Sequence, residues 1–217
     1  MYKILLILLG LSFAGFSSSA NQRPVDPLIA KCGLTPKMSQ TLPFPNSFYR
    51  TNNLVRKTGS FAESKGRKIT IAGRLMDKNC VPIENGVIRL WQADNNGHLS
   101  YSPEDKNIKH SGDTNFAGTG VANSNNLGRF IFYTIYPGLD SKYGATKFVN
   151  LLVESGKNSF ITKLYFDELS ALKDGEFVKL NKANRDNIVF AHSSGTSQGE
   201  VYFIDIVMDY VQINRTY

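Results

Sequence analysis

Hydrophobic residues in the second half of the chain either alternate with polar ones or form short runs rich in β-branched and aromatic side chains. This pattern predicts about eight strands. They are Ile69 to Leu75, Val87 to Trp91, Phe130 to Ile135, Phe148 to Val153, Phe160 to Phe166, Phe177 to Leu180, Ile188 to Phe190 and Val201 to Met208. Turn-forming groups such as Glu84-Asn85-Gly86 and Pro137-Gly138 separate the strands. Short strands spaced in this way predict an all-β fold, an antiparallel β-sandwich.

The region before the strands is rich in proline and has little periodicity. Its prolines are Pro24, Pro27, Pro36, Pro43 and Pro45. Because proline lacks an N–H donor, residues 21–67 are expected to form an extended arm packed over the sandwich of residues 68–217. The only helix predicted is a turn or two near Glu168 to Lys173, and no internal repeat suggests a second domain.

The first twenty residues have the pattern of a secretory signal peptide. Lys3 precedes an apolar run from Ile4 to Phe16, and Ser18-Ser19-Ala20 offers the small residues typical of a cleavage site. The run is shorter than the roughly 20 residues that a membrane-spanning helix needs. We therefore expect cleavage near Ala20, export to the periplasm or the exterior, and no membrane span.

The chain is basic, but its charge is dispersed. It has 25 Lys and Arg against 18 Asp and Glu, a net charge of +7. Pairs such as Arg56-Lys57 and Arg67-Lys68 are the densest clusters, and none belongs to a nucleic-acid-binding motif. A basic surface that aids solubility or contact with an anionic envelope accounts for this charge without a nucleic-acid partner.

Two cysteines, Cys32 and Cys80, are present. In an exported protein such a pair tends to form a disulfide, which here would tie the arm to a turn of the sandwich. The alternative is that both are small buried hydrophobic residues.

Sequence motifs of the common hydrolases and phosphate-binding proteins are missing, including G-x-S-x-G, the P-loop, H-E-x-x-H and C-x-x-C. The three histidines, His98, His110 and His192, are far apart in the sequence. This spacing excludes a metal site built on a local His-x-His pair. His192 falls in a polar segment and is expected in an exposed loop.

Five ordered segments resemble the intradiol ring-cleavage dioxygenases. They are ITIAGRLMDKNCVPIENGVIRLWQADNNGHLSY at 69–101, DTNFAGTG at 113–120, GRFIFYTIYPG at 128–138, TKLYFDE at 162–168 and VYFIDIVM at 201–208. CGLTP, beginning at Cys32, is also similar to the arm of secreted members. The resemblance implies a β-sandwich that holds a non-haem Fe(III) through two tyrosinates and two histidines. Phenolates stabilise ferric iron, and the Lewis-acidic metal binds and activates a catechol.

The histidine positions of that family are not matched by histidines here. They fall on Asn150 and Leu152 or, if the strand is shifted by two residues, on Phe148 and Asn150. The family arginine before them corresponds to Lys147, and the family glutamine before the Y-F segment corresponds to Lys163.

The tyrosine positions are also altered. One falls on Leu139-Asp140, with Tyr143 three residues further on, and the other falls near Ile108, with His110 two residues away. His110, Tyr143 and Asn150 are therefore the candidates for an altered metal site. The alternative roles are a solvated loop histidine, a loop aromatic and a hydrogen-bonded amide in the former pocket.

Two functions follow as hypotheses. The first is oxidative ring opening of a catechol-like aromatic by Fe(III). The second is a non-catalytic exported β-sandwich that binds a ligand through the former pocket or its basic surface, since one fold hosts many functions. In both, Trp91 is expected to pack in the sandwich, while Gln92 and Asp94 hold the following loop by hydrogen bonds.

Overall fold

The alternating segments form two four-stranded sheets. The computed structural model describes residues 32–101, 112–139, 146–166, 171–183, 192–196 and 199–209. In chain order the elements are β1 Lys68–Asp77, β2 Val87–Trp91, β3 Thr119–Asn123, β4 Arg129–Ile135, β5 Phe148–Ser155, β6 Asn158–Tyr165, α1 Gly175–Ala183, β7 His192–Thr196 and β8 Gly199–Met208. The first sheet has the order β4-β1-β8-β7 and the second β3-β2-β5-β6. The predicted β-sandwich is confirmed.

Side chains that alternate along each strand divide between the sandwich core and the outer faces. On β1, Ile69, Ile71 and Leu75 are buried between the sheets, whereas Arg74 on the outer face is exposed. Strands β5 and β6 differ because both of their faces are largely buried. The outer face of the second sheet must therefore be covered by other parts of the chain.

The first and last strands of the sandwich lie side by side. β1 and β8 pair in parallel, whereas the other strand pairings are antiparallel. This pairing joins residues near position 70 to residues near position 200 in the middle of one sheet. It depends on contacts between distant parts of the chain, so local hydrophobic patterns do not reveal it.

The arm is extended, as predicted, and is fixed at several points. Cys32 and Cys80 form a disulfide with an S–S distance of 2.05 Å. The Thr35 N–H donates to Val207 O at 3.0 Å, and the Met38 N–H donates to Ile161 O at 2.8 Å. The arm thus runs from β8 to the edge strand β6 and continues over the second sheet.

Two local predictions need correction. Phe177 to Leu180 belongs to α1 rather than to a strand. His192 begins β7, where its backbone pairs with Phe203, and is not in a loop. The predicted helix near Glu168 lies partly outside the described residues, and Ile188 to Phe190 lies wholly outside them. Phe177 misled the prediction because a short apolar run fits a strand and a helix equally well.

Strand β3 was not predicted because its sequence, TGVAN, is short and contains little hydrophobic surface. Tertiary contacts explain the strand. A side chain at Gly120 would lie 2.7 Å from the backbone oxygen of Thr51. Glycine therefore lets the arm pack directly on this edge of the sheet.

The predicted signal peptide, residues 1–20, lies outside the described residues. Within the part of the chain that the structure describes, no helix has the length and apolar character required to cross a membrane.

Candidate functional site

The turn after β2 connects the two sheets. Gln92 is fully buried, and its Nε2 donates to Ile135 O at 2.9 Å and to Ala93 O at 3.1 Å. Its Oε1 accepts a hydrogen bond from Thr134 Oγ1 at 2.8 Å. These contacts use most of the amide's hydrogen-bonding capacity to tie β2 to the end of β4. Gln92 is therefore a structural residue.

Asp94 holds the loop that follows. Its Oδ1 accepts hydrogen bonds from the backbone N–H groups of Asn96 at 2.8 Å and His98 at 3.0 Å. Its Oδ2 accepts one from the Asp113 N–H at 2.8 Å, and its backbone oxygen accepts one from the Gly138 N–H at 2.7 Å. The predicted loop-fixing role is confirmed for Asp94, whereas the hydrogen bonds of Gln92 join β2 to β4.

The candidate ligand positions lie on the outer face of β5. Val149, Leu151 and Val153 belong to the core between the sheets. Since strand side chains alternate, Phe148, Asn150 and Leu152 point to the opposite face. Both sequence registers considered for the ligands therefore place them on this same face. Histidines at these positions would have shared one site, but the residues present supply a single amide.

Asn150 lies in a row of three side chains that crosses the sheet. Trp91 on β2 is directly opposite it on one side, and Lys163 on β6 is directly opposite it on the other. Asn150 and Trp91 are fully buried, and Lys163 is 1% exposed. No described residue forms a hydrogen bond with Asn150 Oδ1 or Nδ2, or with Trp91 Nε1. Burying a polar group without a partner costs about 1 to 3 kcal/mol, so Asn150 and Trp91 are destabilising as they stand.

Lys163 is neutralised by two acidic residues and does not share the deficit. Its Nζ lies 3.0 Å from Asp174 Oδ2 and 3.0 Å from Glu176 Oε2. Tyr165 Oη donates to Asp174 Oδ2 at 2.8 Å. Asp174 Oδ1 accepts a hydrogen bond from the Glu176 N–H at 2.9 Å at the start of α1, a typical helix cap. This buried cluster attaches α1 to the sheet.

Burial and the neighbouring charges alter the pKa values of this cluster. Burial, and then the adjacent Asp174 carboxylate, raise the pKa of Tyr165 far above its usual range. Burial alone would raise the pKa of Asp174, but hydrogen bonds from Lys163 and Tyr165 outweigh it and hold that pKa below its ordinary value. The tyrosine therefore stays a neutral donor and the aspartate an anion near neutral pH.

The arm and α1 cover the row. Met38, Leu42 and Phe177 are buried in one apolar cluster with Trp91, Phe148 and Tyr165. The rings of Phe44 and Phe48 lie 5.3 and 6.0 Å from the Trp91 ring, centre to centre, in edge-to-face geometry. The site is thus a closed apolar compartment that contains a few polar atoms.

The described residues of this compartment do not fit a ferric ion. Ferric iron is held by anionic or imidazole donors, whereas Asn150 offers a neutral amide and Leu152 and Phe148 offer no donor atom. The nearby carboxylates are already paired with Lys163. Across the described ranges, no three His, Cys, Asp or Glu residues come together as a metal site. His110 and Tyr143 lie outside the described residues, so the structure leaves them untested as ligands.

Lys147, at the position of the family arginine, lies with its Nζ 5.0 Å from the centre of the Tyr136 ring.

The acidic partners of Lys163 were not predicted from the sequence. Asp174 and Glu176 are 11 and 13 residues from Lys163, and no local motif connects them. Their acidic side chains beside the start of an amphipathic segment were the one available signal, since helices favour acidic residues in the first turn.

Comparison with known proteins agrees with this fold. The sequence profile of the Dioxygenase family matches residues 44–211. A protein of Rickettsia conorii, named provisionally as a dioxygenase, is 36% identical over 104 residues, which are 46% of this chain and 50% of that protein. The protocatechuate 3,4-dioxygenase beta chain of Burkholderia cepacia is 29% identical over 87 residues, or 40% of this chain and 36% of that one. The chain spans about half the length of the rickettsial relatives it matches.

Solved structures share the architecture. The dioxygenase domain of a carbohydrate-binding fusion protein from Streptomyces sp. SirexAA-E matches with a TM-score of 0.64 and 22% identity, over 82% of this chain and 100% of that one. An intradiol ring-cleavage dioxygenase from Tetranychus urticae matches with a TM-score of 0.64 and 19% identity, over 84% of this chain and 98% of that one. At these identities the similarity establishes the fold.

Proposed function

Because the chain belongs to the intradiol ring-cleavage dioxygenase family, we propose that it binds a catechol-like aromatic molecule on the outer face of its second sheet. The proposed role is binding without ring cleavage. The observation that carries the proposal is the pair Trp91 and Asn150, whose buried polar atoms meet no hydrogen-bonding partner among the described residues.

A dihydroxylated ring has the chemistry that these atoms require. One hydroxyl could donate to Asn150 Oδ1, and the hydroxyl oxygens could accept from Asn150 Nδ2 and Trp91 Nε1. The ring would pack against Phe148 and Tyr165, which already lie in the same apolar cluster as Trp91. Binding would recover hydrogen bonds that the closed compartment leaves unmade. Entry would require the arm residues over Trp91 to move.

The donor set supports binding in place of catalysis. A catechol on ferric iron is activated because the metal withdraws charge from the ring oxygens. Asn150 and the apolar residues beside it supply no such metal site. The positive charge of Lys163 is held by Asp174 and Glu176, so it does not serve as a substitute.

A second candidate is oxidative ring opening by Fe(III) bound through an altered set of ligands, with Asn150 joined by His110 and Tyr143. Family membership and the unpaired Asn150 Oδ1 favour it. An amide oxygen is a weak ligand, so the other donors would have to supply most of the affinity.

We also propose that the protein is exported to the periplasm or the exterior. The Cys32–Cys80 disulfide supports this location, because such bonds persist in oxidising compartments. Alkylation of free thiols in protein isolated from cell fractions would test it. A fully reduced cytoplasmic protein would contradict the proposal.

The chain has a single tryptophan, Trp91, so its fluorescence reports directly on the site. Titration with catechol is expected to change this fluorescence, and titration with toluene, which lacks hydroxyls, is expected to change it far less. Asn150→Leu should weaken catechol binding by about tenfold or more, as expected for loss of buried hydrogen bonds. Asn158→Leu, at an exposed site on β6, is the matched control. Equal binding by Asn150→Leu and the unaltered protein would refute the proposed site.

Loading with ferric iron separates the two candidates. Binding without catalysis predicts no tyrosinate-to-iron charge-transfer band and no oxygen consumption when catechol is added. A coloured iron complex that consumes oxygen with catechol would favour the ring-opening candidate.

A further inference from the structure

A large cleft is lined by the outer face of the first sheet, by the arm and by β3, and it reaches Phe48 and Arg89 near Trp91. Its volume is about 1710 Å³, and the arm, β1, β2, β3, β4 and β8 contribute to its walls. Of the described residues that line it, four are arginines, Arg50, Arg74, Arg89 and Arg129, and one is acidic, Asp205. Asp205 pairs with Arg74, and Glu154, which is not a lining residue, pairs with Arg89 at 2.6 Å. The excess positive charge that favours an anionic ligand therefore comes from Arg50 and Arg129.

Two of these arginines face each other across neighbouring strands. Arg74 on β1 is directly opposite Arg129 on β4 and, on its other side, opposite Asp205 on β8. Asp205 pairs with Arg74 at 2.9 Å, but no described residue accepts a hydrogen bond from the guanidinium of Arg129. Like charges placed directly opposite in a sheet repel each other. An anion between the two guanidinium groups would relieve that repulsion.

An apolar row lies beside the charged row. Two residues along the strands, Ala72 is opposite Ile131 on β4 and Phe203 on β8. Residues two apart on one face of a strand are separated by about 7 Å. Ala72 is small, and Phe203 is 50% exposed, so the row forms a shallow apolar floor with an aromatic wall. The surface thus has a cationic end and an apolar end within reach of one small molecule.

We propose that this cleft binds an amphiphilic anion. A carboxylate or phosphate group would lie between Arg74 and Arg129, and an attached apolar group would lie on Ala72, Ile131 and Phe203. The planar guanidinium fork matches the oxygens of both anions. Asp205 shares Arg74 with the ligand, so Arg129, which has no described acceptor, provides the larger part of the anion contact. The apolar group can be an acyl chain or an aryl ring, since either would make apolar contacts with these three residues.

Calorimetric titration of the purified protein tests the proposal. Hexyl phosphate, phenyl phosphate and inorganic phosphate serve as probes. At least one of the two organic phosphates is expected to bind about tenfold or more tightly than inorganic phosphate, because apolar contact adds to the ionic one. Tighter binding of hexyl phosphate would identify an acyl ligand, and tighter binding of phenyl phosphate an aryl ligand.

Arg129→Gln should weaken the preferred organic phosphate by about tenfold or more, the usual loss for a charge-assisted hydrogen bond. The matched control is Arg56→Gln, which removes the same charge from an exposed position outside the cleft. Phe203→Ser should weaken the organic phosphates and leave inorganic phosphate unchanged, whereas Phe61→Ser, at a fully exposed residue, should change neither. Equal binding by Arg129→Gln and the unaltered protein, or by all three probes, would overturn the proposal. Asn150 does not line the cleft, so Asn150→Leu should leave phosphate binding unchanged. The phosphate titrations therefore test this proposal separately from the aromatic-binding site.

Discussion

Trp91 on β2 lies directly opposite Asn150 on β5, and the polar atoms of both side chains are buried. In the described part of the chain, neither residue's side chain has a hydrogen-bond partner. Native proteins leave few buried polar groups unpaired. The unpaired atoms should lower the stability of the ligand-free protein and offer hydrogen bonds to a ligand. Measurements of stability and of binding can therefore both test the proposed role.

Asn150→Leu is expected to raise the free energy of unfolding of the ligand-free protein by about 1 to 3 kcal/mol, because it removes two unpaired polar atoms from an apolar compartment. Urea denaturation of the variant and of the unaltered protein measures the difference. A lower stability of the variant would mean that the amide already has a partner in the ligand-free protein.

Lys163→Met is expected to lower the free energy of unfolding by about 1 to 3 kcal/mol, because it leaves the partly buried carboxylates of Asp174 and Glu176 without their cation. Lys78→Met is the matched control. Lys78 pairs with Asp209 at 3.4 Å, and both side chains are exposed, so its loss should cost less than about 1 kcal/mol. Similar losses in the two variants would contradict the assigned importance of the buried cluster.

Low pH should decrease the free energy of unfolding, partly through protonation of Asp174. Hydrogen bonds from Lys163 and Tyr165 hold its pKa below its ordinary value in the folded protein. Its contribution to stability is therefore present at neutral pH and is lost as the pH falls through that lowered pKa. The pH dependence of the urea midpoint between pH 6 and pH 2 measures this loss. Asp174→Asn should flatten the acid limb of the curve, and an unchanged limb would assign the acid sensitivity to other carboxylates.

Replacing both Cys32 and Cys80 by serine is expected to lower the free energy of unfolding by about 2 to 4 kcal/mol, because the unfolded chain gains conformational freedom. The same change releases the beginning of the arm from the turn after β1. Limited proteolysis should therefore cut the arm of the variant faster than that of the oxidised protein. Reduction of the unaltered protein provides the matched comparison, and equal cleavage rates would contradict this role of the bond.

The sequence by itself determined the class of fold and the core strands. Alternating hydrophobic residues all point to one face of a strand, and that face becomes the core whichever strands pair beside it. It also placed the loop-fixing role on Asp94, whose carboxylate accepts hydrogen bonds from the nearby backbone of Asn96 and His98. It identified Asn150 where a metal-binding histidine was expected from the family resemblance.

Tertiary structure alone decided the rest. Phe177 is in a helix because Asp174 caps α1 and Lys163 anchors that cap to β6, and β3 forms where Gly120 admits the arm. The same holds for the opposition of Arg74 to Arg129, which arises from the pairing of β1 with β4. These features depend on contacts between residues far apart in the chain. Such contacts form only when the strands of the sandwich come together, so the local hydrophobic pattern does not predict them.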